Sequence, residues 1–255
     1  MPLENRVWLI GVVSRKGSLM TEQISLHADE DSLSPGAAQS PLHGFRGQPD
    51  VPDPAGVPAA LSIAISRETG SRGTAIAQRA GAKLGWQVYT QDLLEYISQQ
   101  GTINADPLEG LSPAAERWVE QRLQQLHKAP GAASPNSLAL ARLVLALGAQ
   151  GEVVLLGRGA GCFLPARSTL HVRLVAPLAD RIAYISQWMR LSDEEAADYV
   201  ARSDQRRAEF VQAQFQRQAG DVHQYDLVLN TSLLGEERSA ELIVQAARIK
   251  AAVRA

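Results

Sequence analysis

The sequence predicts an α/β fold: one parallel sheet of five short strands with helices on both faces, behind a proline-rich arm. Two observations carry this. From residue 61 onward, short apolar runs bounded by glycine or polar residues alternate with longer stretches of helical periodicity, the order that builds a parallel sheet. The first 60 residues are different: they hold seven of the 13 prolines and four basic against seven acidic residues. Between Ser34 and Pro58 lie six prolines and four glycines with hardly a bulky apolar side chain. Such a stretch cannot bury enough surface to offset its chain entropy. Residues 1–58 therefore read as a disordered N-terminal arm and linker, and 59–255 as one domain. Within the arm, residues 6–13 could form a short strand or a docking peptide for a protein partner.

The elements follow in order. Leu61–Ile65 is a strand, and Ile76, Ala77, Ala80 and Leu84 mark the helix after it, with Gly85 as its stop. Trp86–Tyr89 is a short second strand, followed by helices over Asp92–Gln99 and Ser112–Lys128, the latter with Ser112 as N-cap and Pro113 in its first turn. Leu138–Leu147 is an apolar, buried helix. Glu152–Leu156, between Gly151 and Gly157, is a buried strand, and Thr169–Val175 places Leu170, Val172 and Leu174 on one face of another. Leu178–Arg190 is a helix, and Ser192-Asp-Glu-Glu195 is a capping box opening a helix that runs to about Gln216. Tyr225–Asn230 is the fifth strand and Glu236–Ala252 the closing helix.

Composition excludes several classes. A net charge of -2 over 255 residues gives no basic field for a DNA or RNA backbone. A single cysteine, Cys162, excludes an intrachain disulfide framework and multi-cysteine zinc sites, and the five histidines show no metal-ligand spacing. No apolar run approaches the ~20 residues of a membrane helix. A soluble cytoplasmic protein is expected.

In a parallel α/β sheet, ligands sit at the carboxyl ends of the strands. The loop Ser66-Arg67-Glu68-Thr69-Gly70-Ser71-Arg72-Gly73-Thr74 is in that position. Gly70 and Gly73 allow a tight turn and close backbone approach, the following helix offers free N–H groups and a positive dipole end, and Arg72 adds a mobile cation. These are the physical parts of a phosphate cradle, although a tight strand-to-helix turn that binds nothing has the same look. The full pattern G-x-x-x-x-G-K-[ST] is absent. Gly11-Val-Val-Ser-Arg-Lys16-Gly17-Ser18 also follows an apolar run, but no helical periodicity follows it.

Two arginine groups accompany the loop. Arg158, in Gly157-Arg-Gly-Ala-Gly161, follows the strand 152–156 and projects near the same sheet edge. Arg202, Asp204, Arg206 and Arg207 lie on one long helix, where Arg202 and Arg206 share a face and Asp204 can brace an arginine. Either group could instead be solvated surface. Arg173 and Arg181 are further candidates. Phosphoryl transfer needs positioning and positive charge more than covalent help.

These features, in order, resemble the cytidylate kinase-like branch of the nucleoside monophosphate kinases. The resemblance is carried by Ile63–Gly73 with its helix to Gly85, Val153–Ala160, His171–Arg181, Ser203–Arg207 and Tyr225–Thr231. It implies a three-layer P-loop kinase-like fold with a helical lid. It also implies phosphoryl transfer from ATP, with Mg²⁺, to a nucleoside monophosphate such as CMP. Arg67, Gly70, Ser71, Gly73 and Thr74 would then cradle donor phosphates, Arg158 would face the acceptor, and Arg72, Arg206 and Arg207 would act on the transferred group, supported by Arg202 and Asp204. The departures are specific. The loop lysine is replaced by Gly73 or Arg72, and Gly159 replaces the aspartate of the acceptor motif. The alternative is a non-catalytic nucleotide- or phosphate-binding module with a degenerate loop; a kinase for another small phosphate acceptor is a third reading.

Overall fold

The computed structural model describes residues 60–100, 108–128 and 135–254, together with the backbone of four two-residue strands nearer the start of the chain. The linker 30–58 lies outside the described residues.

The first unit contains those four strands: β1 (Trp8–Leu9) pairs antiparallel with β4 (Gln23–Ile24), and β2 (Val12–Val13) with β3 (Leu19–Met20). Residues 6–13 thus contribute two strands rather than one.

The second unit is built on the predicted sheet. Its strands are β5 (Ser62–Arg67), β6 (Gln87–Tyr89), β7 (Val153–Leu156), β8 (Thr169–Val175) and β9 (Leu227–Asn230). They pair in the order β6-β7-β5-β8-β9, every pair parallel. The helices are α1 (Gly73–Leu84), α2 (Gln91–Gln100), α3 (Pro113–Lys128), α4 (Pro135–Gln150), α5 (Ala160–Phe163), α6 (Leu178–Met189), α7 (Asp193–Phe215) and α8 (Thr231–Arg254).

Strand side chains alternate between the faces, and each face has its own core. Ile63, Ile65, Val154, Leu156, Leu170, Val172 and Leu174 pack against Ile76, Ala77 and Ala80 of α1 and Ala240, Ile243 and Val244 of α8. On the other side, Ala64, Val153 and Leu155 meet Leu140, Val144 and Leu147 of α4, with Trp118, Phe163 and Phe215. The result is three layers. A smaller cluster, Ile185, Ala196, Tyr199 and Val200, joins α6 to α7.

Two local departures from expectation have simple causes. The closing helix is assigned from Thr231, but Gly235 breaks it with φ 73° and ψ 173°, so its long part does begin near Glu236. Asn230 caps the short first turn, its Oδ1 accepting from the Ser232 and Leu233 N–H groups. The glycine stretch after β7 does not stay a turn: it closes into the short helix α5, with Gly159 as N-cap at φ 65°.

Among the described residues, no helix is long and apolar enough to cross a membrane.

Candidate active site

The glycine loop joins the central strand β5 to α1. Arg72 is the N-cap of α1 with φ 60°, no side chain caps the helix, and its first turn holds no acid. The first N–H groups of α1 are therefore left for a ligand or water, and the positive end of the helix dipole is uncompensated. Thr74 is exposed in that first turn, as is Arg72, whose guanidinium lies 5.2 Å from the Tyr184 ring centre.

The loop is shaped by its own groups. The Ser71 hydroxyl and N–H both turn back onto the Glu68 carbonyl, at 2.8 and 3.2 Å. Ser71 is buried and serves the turn. The glycines make room for protein as well as for any ligand. A Cβ at Gly70, where φ is 81°, would lie 2.6 Å from the Arg181 carbonyl, and one at Gly73 would lie 3.0 Å from the Arg67 side chain. Close approach at Gly70 is thus approach of the α6 backbone.

Arginines from four elements converge here. Arg67, at the end of β5, donates to Gln91 Oε1 at 3.1 Å and packs over Gly157. Arg173 donates to the Ser66 hydroxyl at 2.7 Å and lies 4.0 Å from Glu68. Arg181, a further candidate in the sequence, is buried at 8% exposure. It donates to the Ala176 and Thr69 carbonyls and to Asp204, and sits 3.5 Å from Glu68. Arg207, on α7, donates to the Thr69 hydroxyl. Asp204 does brace arginines, but not Arg202: its partners are Arg181 at 2.5 Å and Arg207 at 3.7 Å. Arg206 turns back to Ser203 at 3.3 Å, and Arg202 stays exposed. Helix α7 therefore brings Arg207 and Asp204 to the loop and leaves Arg202 outside it.

Arg158 lies in the turn after β7, engaged by residues other than those of the loop. It is buried at 8% exposure, adopts φ 52°, pairs with Glu95 of α2 and lies 5.9 Å from the Phe210 ring centre. Its Nε is a buried donor without a partner. Burial lowers its pKa to about 10 against the pull of Asp92, with Arg207 adding to the lowering, so it remains a cation at neutral pH. Gly159 is required next to it: a Cβ there would come 2.4 Å from the Phe215 ring. Sequence reasoning did not find Glu95 or Gln91. Their spacing of four on α2, facing Arg67 at the end of β5 and Arg158 in the turn after β7, becomes visible only once β6 and α2 are placed.

No group of three or more His, Cys, Asp or Glu side chains able to hold a metal occurs among the described residues. The carboxylates nearest the loop are already engaged, Glu68 by the Ala176 N–H and arginines, Asp204 by Thr69 and arginines. This set does not fit a preformed Mg²⁺ site.

The order of strands, the three layers and the uncapped helix after the central strand are those of a P-loop kinase-like α/β fold. Residues 62–233 match the cytidylate kinase-like family, and the chain belongs to it. A crystal structure of an uncharacterized protein from Eubacterium ventriosum is similar at a TM-score of 0.52 and 14% identity, over 74% of this chain and 98% of that one. Shikimate kinase from Bacteroides thetaiotaomicron aligns at a TM-score of 0.41 and 14% identity, over 76% and 99% of the two chains. A curated relative, uronate isomerase from Corynebacterium glutamicum, is 36% identical over 93 residues, 36% of this chain; the chain spans only 18% of that relative's length.

Proposed function

We propose that the chain transfers the terminal phosphoryl group of ATP to a nucleoside monophosphate, CMP-like in class, in the cytoplasm. The observation that carries this reading is the uncapped N-terminus of α1 beneath a loop on which Arg181 and Arg207 converge. Family membership supports a kinase-like use of that geometry.

In this reading the donor phosphates lie along Gly70–Thr74, bound by backbone N–H groups and the helix dipole, with Arg72 as a mobile counter-charge. The acceptor phosphate faces Arg158. An acceptor oxygen attacks the terminal phosphorus of ATP, the bond from that phosphorus to the bridging oxygen breaks, and ADP leaves. Arg207 and Arg181 stabilise the charge on the transferred group. No step is assigned to Mg²⁺, because the carboxylates here are otherwise engaged.

The second reading is a nucleotide- or phosphate-binding module without turnover, joined to a protein partner through the N-terminal arm. The lack of a lysine after the loop glycine favours it, as does the internal pairing of Arg158 with Glu95.

One experiment separates them. ATP binding is measured by calorimetry, and ADP release is followed with a panel of nucleoside monophosphates and other phosphate acceptors. Turnover with one acceptor supports the kinase. Tight ATP binding with no turnover across the panel supports the module. Absence of binding sinks both.

A further inference from the structure

The loop is already occupied by an anion belonging to the protein. One oxygen of Asp204, Oδ1, accepts from the Thr69 N–H at 2.8 Å and from the Thr69 hydroxyl at 2.7 Å. The other, Oδ2, takes Arg181 at 2.5 Å, and Arg207 lies 3.7 Å from Oδ1 while also donating to the Thr69 hydroxyl. A backbone N–H, a hydroxyl and two guanidinium groups around one carboxylate form the donor set that a phosphate group takes.

Resting on the phosphate reading above, we propose that Asp204 is an internal competitor, a latch that holds α7 on the loop and that an incoming polyphosphate displaces. The Thr69 N–H is a single donor, so a strong bond to Asp204 and a strong bond to a ligand oxygen exclude each other. A phosphate offers three oxygens and more charge than a carboxylate, which favours the exchange. Arg181 has the anchors to survive it: the Ala176 and Thr69 carbonyls and Glu68 hold it in place when Asp204 leaves. The loop keeps its turn through the Ser71 bonds to Glu68. Displacement therefore frees two arginines and one N–H while the loop stays in shape. It ties occupancy of the loop to movement of the lid.

The test uses the full-length chain, with ATP and inorganic tripolyphosphate as probes. Asp204→Ala and Asp204→Asn are compared with wild type by calorimetry. The alanine variant is expected to bind both probes about tenfold more tightly, the asparagine variant by less, because it keeps an acceptor for Thr69 but loses the charge. In wild type, saturating tripolyphosphate is expected to raise hydrogen exchange over residues 200–210, a readout that needs no variant to fold. Wild-type binding equal to or tighter than that of the variants overturns the latch and leaves phosphate binding intact. Unchanged exchange in ligand-bound wild type does the same. If neither probe binds wild type or variants, the phosphate reading falls and the latch falls with it.

Discussion

Arg181 and Arg158 are the two residues whose surroundings decide what this site can do. Both are buried cations held by carboxylates. Removing one partner of a buried pair leaves an uncompensated charge and costs about 3–5 kcal/mol. Arg181→Met should therefore lower stability by about 3 kcal/mol, since Asp204 and Glu68 would face each other without their shared cation; chemical denaturation measures it. The two α7 arginines should differ from one another. Arg207 donates to the Thr69 hydroxyl of the loop, whereas Arg206 donates to Ser203 on its own helix. Under the proposed kinase activity, Arg207→Ala should cut turnover by about a hundredfold or more with little loss of ground-state ATP affinity, and Arg206→Ala by far less; steady-state kinetics beside calorimetry show the split. This distinction was not legible in the sequence. The run Arg202–Arg207 fixes which residues share a helix, but which of them faces the loop depends on how α7 packs on α6 through Ile185, Ala196 and Val200. Asp204 is similar: it was readable as a brace, while the choice of Arg181 as its main partner, 23 residues away, is a tertiary fact.

At the level of elements, local chemistry was sufficient for the five parallel strands and the long helices. The capping box that opens α7 is present in full: the Glu195 N–H donates to the Ser192 hydroxyl and Glu195 accepts from the Ser192 N–H. Ser192→Ala should lower stability by about 1 kcal/mol, read as a shift in the denaturation midpoint. All five parallel strands fall where apolar runs stand, each flanked by glycine or polar residues; β5, β7 and β8 in the middle of the sheet are largely buried, whereas the edge strands β6 and β9 stay partly exposed. The short helix α5 was not legible: four residues carry no periodicity, and only the fit of Gly159 under Phe215 defines its start. The strand β8 adds a pH effect. His171 is buried, its Nε2 has no partner, and burial lowers its pKa to about 4 despite the pull of Asp226, with Lys250 and Arg217 also nearby. Its unfolded value is about 6.5. Between these values the unfolded chain binds the extra proton, so stability falls as the pH drops from about 6.5 towards 4, by about 3 kcal/mol at most. His171→Asn should flatten that part of the melting temperature against pH profile. An unchanged slope would assign the acid sensitivity to other groups.

For the molecule as a whole, the question is where the folded unit begins. The family match starts at residue 62, the central strand at Ser62, and the cores on both sheet faces are closed by residues from Leu61 onward. One contact lies just before that point. A Cβ at Gly151, where φ is 71°, would stand 2.2 Å from the Ala60 side chain, so Ala60 packs where α4 turns into β7. Removal of residues 1–58 should therefore leave the melting temperature of the remainder within a degree or two and its ATP affinity unchanged, because the cut spares Ala60 and the stretch removed is too poor in apolar residues around 34–58 to complete a core. Removal of residues 1–61 should be worse, since it takes Ala60 and the buried Leu61, whose carbonyl accepts the Glu152 N–H at 2.8 Å. Losing a buried leucine from such a core costs about 2–5 kcal/mol. Thermal melts of the two truncations beside the full chain give the answer. A large drop already at the first cut would mean that the apolar residues 7–13 belong to the folded core, and the boundary at 58 would be wrong.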